Sequence, residues 1–168
     1  LLTPKGAVQA LVRALVENPG EYAELVADPD GLLDSAVEEI LRWATPVLHF
    51  RRTALVDTEV GGQPVKAGDK VVMWHISANR DEEVFDRPFE FDIERRPNDH
   101  IAFGGGGAHY CLGTNLARME LRLIFREVAS RMEDIRLTGE VERLRSNFIG
   151  GIKHIPIAFT PGERKHPV

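Results

Sequence analysis

The chain of 168 residues is 43% hydrophobic and 28% charged, with a formal net charge of −5. That length can bury one core of its own, and the bulk charge gives no pull toward nucleic acid. No apolar run approaches the length that spans a bilayer, no charged-then-apolar leader opens the chain, and the single cysteine excludes an internal disulfide and suits a reducing, cytoplasmic setting.

Residues 5–18 carry apolar positions at helical spacing and stop at Asn18-Pro19-Gly20. A short second helix is expected over 20–27, closed by Asp28-Pro29-Asp30-Gly31. Ser35-Ala-Val-Glu38 has capping-box spacing, which starts the next helix at Ser35 with Glu38 reaching back. That helix contains Glu39-Ile-Leu-Arg42, an i, i+3 pair that would contribute only ~0.3 kcal/mol as a surface ion pair. Trp43-Ala-Thr-Pro46 ends it, because proline cannot continue a helix.

Val47-Leu-His-Phe50 is then a short extended run, and Arg51-Arg52 by itself reads as a solvated pair at a strand start. Residues 53–74 alternate and turn like a β-meander. Its parts are a strand Leu55–Val60, a Gly61-Gly62 hairpin turn, a short strand at Val65, a turn at Ala67–Asp69 and a strand Val71–Trp74. An extended stretch follows with Ala78-Asn-Arg-Asp81, Phe85, Pro88-Phe-Glu-Phe91 and Arg95. His75 and His100 lack the paired spacing of a zinc site and read as hydrogen-bonded or surface histidines.

Phe103-Gly-Gly-Gly-Gly-Ala-His-Tyr-Cys111-Leu-Gly113 holds the only cysteine. Sulfur ligates as the thiolate, which backbone N–H groups and a helix N-terminus favour, and glycines let backbone approach a flat ligand without Cβ clashes. A glycine loop with a spare cysteine is the plainer reading. A phosphate cradle is weaker, since the Lys-Ser/Thr ending of a P-loop is absent. From Leu112 to about Met132, Leu116, Leu121, Ile124, Phe125, Val128 and Met132 keep helical period, while Arg118, Arg122 and Arg126 form a basic row. After Gly139 two short strands are expected around Gly150-Gly151, and the tail 160–168 is polar and frayed.

In order and spacing these motifs resemble the cytochromes P450, whose haem loop places a Phe, spaced glycines, a basic residue, Cys and a later Gly as Phe103, Gly107, His109, Cys111 and Gly113 do here. Phe103 stands eight residues before Cys111 where seven is common. Some bacterial oxidisers of sterol side chains and branched lipids share that longer loop. Arg42-Trp-Ala-Thr-Pro46 and Leu144-Arg-Ser with Gly151-Ile-Lys153 lean the same way.

The resemblance implies a mainly α fold with a small β-meander (α+β), residues 1–168 being the C-terminal, haem-proximal part of one domain and less than half of a full enzyme. The distal helix with its acid–alcohol pair would end near the start of this chain, beside Thr3, although Leu1-Leu2 does not show the motif. Cys111 would be the axial ligand to the iron of haem b (iron protoporphyrin IX), its electron density favouring O–O cleavage. Arg52 and His109 would hold haem propionates, Phe103 would pack beneath the haem, and Gly107 and Gly113 would allow close approach. Glu39, Arg42 and Arg95 would form a buried structural trio, and Val47, Leu48, Phe50, Phe148 and Ile149 would line the substrate pocket.

The implied activity is monooxygenation of a lipophilic substrate with O2, fed by NAD(P)H through a reductase and a ferredoxin. The arginine row is usually only a solvated face, and on the resemblance it could also border the surface where that ferredoxin docks. This piece alone is expected to be inactive. Two other readings stay open, a truncated haem-binding remnant without catalysis and nucleotide binding through the glycine loop.

Overall fold

The computed structural model describes Gly6 and residues 12–162, so Leu1-Leu2, Thr3 and the tail from residue 163 lie outside the described residues. Residues 12–17 are helical and stop at Asn18, whose backbone N–H and side-chain amide both donate to the Ala14 carbonyl, at 3.0 and 2.7 Å. Prolines open the next two helices, α1 (Pro19–Ala27) and α2 (Pro29–Ala44). Proline fits a first helical position because an N–H there would have no intrahelical partner.

Asp28 lies between α1 and α2 and caps the second, accepting from the Gly31 N–H at 3.0 Å. The capping box expected at Ser35 is therefore not used. Ser35 lies inside α2 with its hydroxyl on the Leu32 carbonyl, and Glu38 points to partners elsewhere in the chain. An Asp-Pro start had already satisfied the helix end about two turns earlier. At the other end Thr45 turns left-handed (φ 38°) and returns its hydroxyl to the Arg42 carbonyl.

The strands β1 (His49–Thr53), β2 (Thr58–Val60), β3 (Gln63–Val65) and β4 (Lys70–Trp74) are antiparallel but nested. β1 pairs with β4, from His49 opposite Trp74 to Thr53 opposite Lys70, and the β2–β3 hairpin lies between them in sequence. This corrects the meander order. Leu55 and Val56 form no strand and stand exposed. Gly61 and Gly62 turn the inner hairpin with φ of 56° and 77°, the positive values that a two-residue hairpin requires.

A short helix α3 (His75–Ala78) leads into an irregular stretch, then α4 (Thr114–Arg131). Four strands close the chain as two more ladders. β5 (Met132–Leu137) pairs with β8 (Ile157–Pro161), and β6 (Glu142–Arg143) pairs with β7 (Ile152–His154). β5 had no forecast, and β8 extends to Pro161, so Thr160 and Pro161 are paired rather than frayed. Helices with small antiparallel ladders give the α+β class expected.

The core lies between α2 and α4. Leu33, Val37, Ile40 and Leu41 meet Leu121 and Phe125, and Leu25, Phe91, Ile93 and Phe103 fill the sides. Each such side chain removed from water contributes roughly 1.5–3 kcal/mol. The buried line of α4 runs Ala117, Leu121, Phe125, Ala129, while Leu116, Met119 and Leu123 face outward. Among the described residues no helix is long and apolar enough to cross a membrane.

Candidate functional site

Two groups of candidate residues form, and a buried polar network lies between them. The network centres on Glu39 and Arg42, both side chains 0% exposed. Arg42 gives Nε and Nη2 to the Glu39 carboxylate at 2.7 Å each, Nη1 to the carbonyls of Asn79 and Pro88 at 2.8 Å, and Nη2 to that of Glu90 at 3.1 Å. Arg95 Nε reaches Glu39 at 3.2 Å, and its other nitrogens meet the carbonyls of Asp86, Arg87 and Glu90. The Asn98 amide and the Asp92 N–H also donate to Glu39. Charges this deep persist only when fully partnered. Here they tie α2 to the irregular stretch that leads to the cysteine.

Asn79 extends the tie. Fully buried, it donates to the Thr45 hydroxyl at 2.9 Å and accepts the Ile101 N–H at 2.8 Å, anchoring the foot of the glycine loop to the end of α2.

The loop itself is closed by the Cys111 N–H donating to the Phe103 carbonyl at 3.1 Å. Gly104, Gly106 and Gly107 have φ of 98°, 104° and 77°, a region L side chains rarely adopt. A Cβ on Gly105, Gly106 or Gly107 would meet nothing within 4 Å, so the extra residue is accommodated outward. Phe103 is buried at the base, while His109, Tyr110, Cys111 and Leu112 are exposed. α4 begins at Thr114, whose N–H and hydroxyl both donate to the Cys111 carbonyl. The cysteine thus precedes the helix by more than the Leu112 start implied.

Below the loop, Glu38 accepts Arg118 Nε and Nη2 at 2.6 Å each and His100 Nε2 at 3.0 Å. Burial pushes the Glu38 carboxyl up, but the hydrogen bonds from Arg118 and His100 outweigh it and bring its pKa to about 2. The arginine row, expected as a solvated face or the border of a docking surface, is paired with acids of α2. Arg118 meets Glu38, Arg122 meets Asp34 at 2.6 Å, and Arg126 meets Asp30 at 2.8 Å. Ascending acids against descending arginines make α2 and α4 antiparallel, and the acids cancel the row as a free basic face.

The second group forms where the 144–151 turn meets the Val47 run. Val47 bridges Ile149, the Leu48 N–H donates to the Phe148 carbonyl at 2.9 Å, and the Gly150 N–H donates to the Pro46 carbonyl at 3.0 Å. Phe148 lies edge-on to Phe50 and His49, with centroids 5.8 and 5.6 Å apart, and His49 meets Trp74 at 4.7 Å. All five expected pocket residues therefore meet. Arg52 lies on β1 with its guanidinium 5.8 Å from the Phe50 ring, and no hydrogen bond or ring contact among the described residues joins it to the Cys111 loop.

His75 is neither of the things expected. It is buried, its Nδ1 has no partner among the described residues, and its ring lies 5.5 Å from Phe50. Burial, then the Arg52 and His49 charges, hold its pKa below the ordinary histidine value.

A single exposed sulfur is the chemical offer of the loop. No group of three or more His, Cys, Asp or Glu among the described residues is placed to hold a metal. One exposed sulfur could give a single protein ligand to an iron that a cofactor already holds.

The model of the family described as cytochrome P450 matches residues 31–133. The chain is 49% identical over 158 residues to the methyl-branched lipid omega-hydroxylase of Mycobacterium tuberculosis, covering 94% of this chain and 37% of that protein. It is 54% identical over 158 residues to the steroid C26-monooxygenase of Mycolicibacterium smegmatis, covering 94% and 36%. A Mycobacterium marinum cytochrome P450 solved with pseudoionone superposes with a TM-score of 0.90 at 45% identity, over 94% of this chain and 38% of that one. A Bacillus megaterium cytochrome P450 solved with testosterone gives 0.87 at 34%, over 93% and 43%. The chain thus spans little more than a third of the length of the curated relatives it matches.

Proposed function

The chain belongs to the cytochrome P450 family, and on that premise we propose that it carries the haem-proximal side of a haem-thiolate monooxygenase. The observation that carries this is Cys111 held outward on a loop whose base is fixed by the buried Phe103. A buried cysteine would be an inert core residue, whereas this one can meet a flat ligand across open glycine backbone.

Haem, when bound, supplies oxygen activation at its iron. The rest falls to the protein. Cys111 would hold the haem iron through its thiolate. Phe103 supports the loop from beneath, and Gly107 and Gly113, having no Cβ, would let the haem come close to the loop backbone. Arg52 and His109 take the haem propionates, a task that suits a planar guanidinium and a ring N–H. Glu39, Arg42 and Arg95 hold the stretch that ends in the loop.

The substrate is a lipophilic molecule, a sterol side chain or a methyl-branched lipid, oxidised with O2 and electrons from a ferredoxin-type donor. Two supports favour that class. Val47, Leu48, Phe50, Phe148 and Ile149 gather as an apolar group with no acid among them. The relatives named steroid C26-monooxygenase and methyl-branched lipid omega-hydroxylase are 54% and 49% identical to this chain.

The test is the reduced, carbon-monoxide difference spectrum of the haem-loaded protein beside Cys111→Ala. A strongly red-shifted Soret band that the variant lacks is expected. A band that survives the substitution, or none in the wild type, overturns the reading.

A further inference from the structure

The geometry points to Glu38 as a positioning residue for the Cys111 loop, acting through Arg118 and His100 on Phe103. This gives the haem-thiolate reading a support for its ligand, though the contacts themselves involve no haem. The carboxylate accepts both arms of the Arg118 fork at 2.6 Å, a bidentate arrangement that fixes the guanidinium plane as well as its position. That guanidinium lies over the Phe103 ring, its carbon 4.9 Å from the centroid.

On the same carboxylate, His100 is fixed by two bonds. Its Nδ1 accepts the Ala102 N–H at 3.2 Å, so its Nε2 carries the proton and donates to Glu38 at 3.0 Å. The His100 ring centroid is 6.2 Å from that of Phe103. One carboxylate therefore orients two groups that bear on one buried ring. The carbonyl of that same residue holds the Cys111 N–H. Carboxylate, guanidinium, ring, carbonyl and amide form an unbroken chain of contacts from α2 to the cysteine.

The neighbouring acids make no such connection. Glu39 is consumed by its buried arginines and by Asn98 and Asp92. Asp34 and Asp30, with side chains 74% and 86% exposed against 26% for Glu38, meet arginines on the outer turns of α4. Of the three paired acids, only the most sheltered bears on the loop.

Hydrogen exchange at the Cys111 N–H tests this without haem. The wild type is compared with Glu38→Gln, which keeps size but loses charge, and with Arg118→Lys, which keeps charge but loses the fork. Each rate is divided by that of the Gly150 N–H, bonded to Pro46 away from the loop, so a general loss of stability cancels. The expected result is a normalised Cys111 rate at least tenfold above wild type in both variants. A rate within twofold of wild type in both overturns the positioning role. In the haem-loaded protein, Glu38→Gln is expected to lower the thiolate-type carbon monoxide band at least twofold at equal haem content. A wild type without that band defeats the haem-thiolate reading, and the exchange ratio still decides the role of Glu38.

Discussion

Arg42 directs two of its five N–H bonds to Glu39 and the other three to the carbonyls of Asn79, Pro88 and Glu90. The pair is thus less an isolated ion pair than a staple between α2 and the stretch before the glycine loop. Its cost is desolvation, and its gain depends on every donor finding an acceptor.

Arg42→Lys keeps the charge but offers three donors from a point, which cannot span five acceptor directions. It is expected to lose about 3–5 kcal/mol of stability, the range for breaking a buried pair. Glu39→Gln falls in the same range. The double variant Glu39→Ala with Arg42→Ala is expected to cost less than the sum of its parts, because neither leaves the other as an orphaned charge. Urea denaturation of the wild type, Glu39→Ala, Arg42→Ala and the double variant measures it, and strict additivity would contradict the staple.

Acid reaches Glu38 differently. Its pKa is brought from an ordinary 4.5 to about 2 in the folded protein, so the folded state prefers it charged. That stabilisation is fully present above the unfolded value and is lost as pH falls through the folded one. The wild type should therefore exceed Glu38→Gln by about 1–2 kcal/mol at pH 6, allowing for partial solvent screening. The gap should close as pH falls from about 4.5 toward about 2, read as urea midpoints along a pH series. A gap constant over that window would show that charge is not what Glu38 contributes.

How much of this was legible depends on sequence distance. Glu39-x-x-Arg42, Arg95 and the cysteine loop carry local spacing, so they could be singled out without a structure. The Glu38–Arg118 pair spans 80 positions and leaves only an indirect trace. That trace existed: acids at 30, 34 and 38 and arginines at 118, 122 and 126 repeat every four residues, as two helices packed antiparallel require. Taken alone, the arginines offered a solvated face or a docking border, and neither is a ladder between two helices. Ser35 misled for a related reason, since a Ser-x-x-Glu spacing cannot report that Asp28-Pro29 has already begun the helix. Asn79 stands in the Ala78-Asn-Arg-Asp81 run and His75 is a zinc candidate to be weighed, but spacing gives no partner for either, and only burial reveals their surroundings.

The meeting of the 144–151 turn with the Val47 run gives a prediction about specificity. Phe148 touches both Phe50 and His49 by ring edges and can be shortened without disturbing the core. Phe148→Ala is expected to weaken binding of a sterol or branched-lipid substrate about 10- to 100-fold, the range for deleting an apolar contact. The carbon monoxide band should be unchanged. Substrate-induced spectral titration measures the affinity, and an unchanged affinity would remove Phe148 from the pocket.

Gly150 tests the same junction through the backbone. A Cβ there would lie 3.1 Å from Leu48 Cδ2, so Gly150→Ala needs the leucine tip to give by a few tenths of an ångström, while the Thr45 carbonyl oxygen at 3.5 Å stays in ordinary contact.

The ladder between α2 and α4 gives the last prediction, and burial sets its order. Arg126 and Asp30 are exposed at the outer end, where an ion pair contributes ~0–1 kcal/mol because water screens it and two long side chains lose freedom. Arg122 approaches Asp34 at 2.6 Å, yet its Nε lacks an aligned hydrogen bond, so the middle rung is a charge contact without good geometry. Arg118 is different on every count: a two-armed bond, a sheltered acid, and an aromatic ring beneath. Alanine at 126 and 122 is therefore expected to cost under about 1 kcal/mol each and to lose most of that in 1 M salt. Alanine at 118 is expected to cost about 2–4 kcal/mol with little salt dependence, since it leaves a partly buried carboxylate short of its main donor. Denaturation midpoints of the three variants at low and high salt decide it. Equal costs along the ladder would mean that α2 and α4 are held by their apolar seam and that Glu38 has no special place in it.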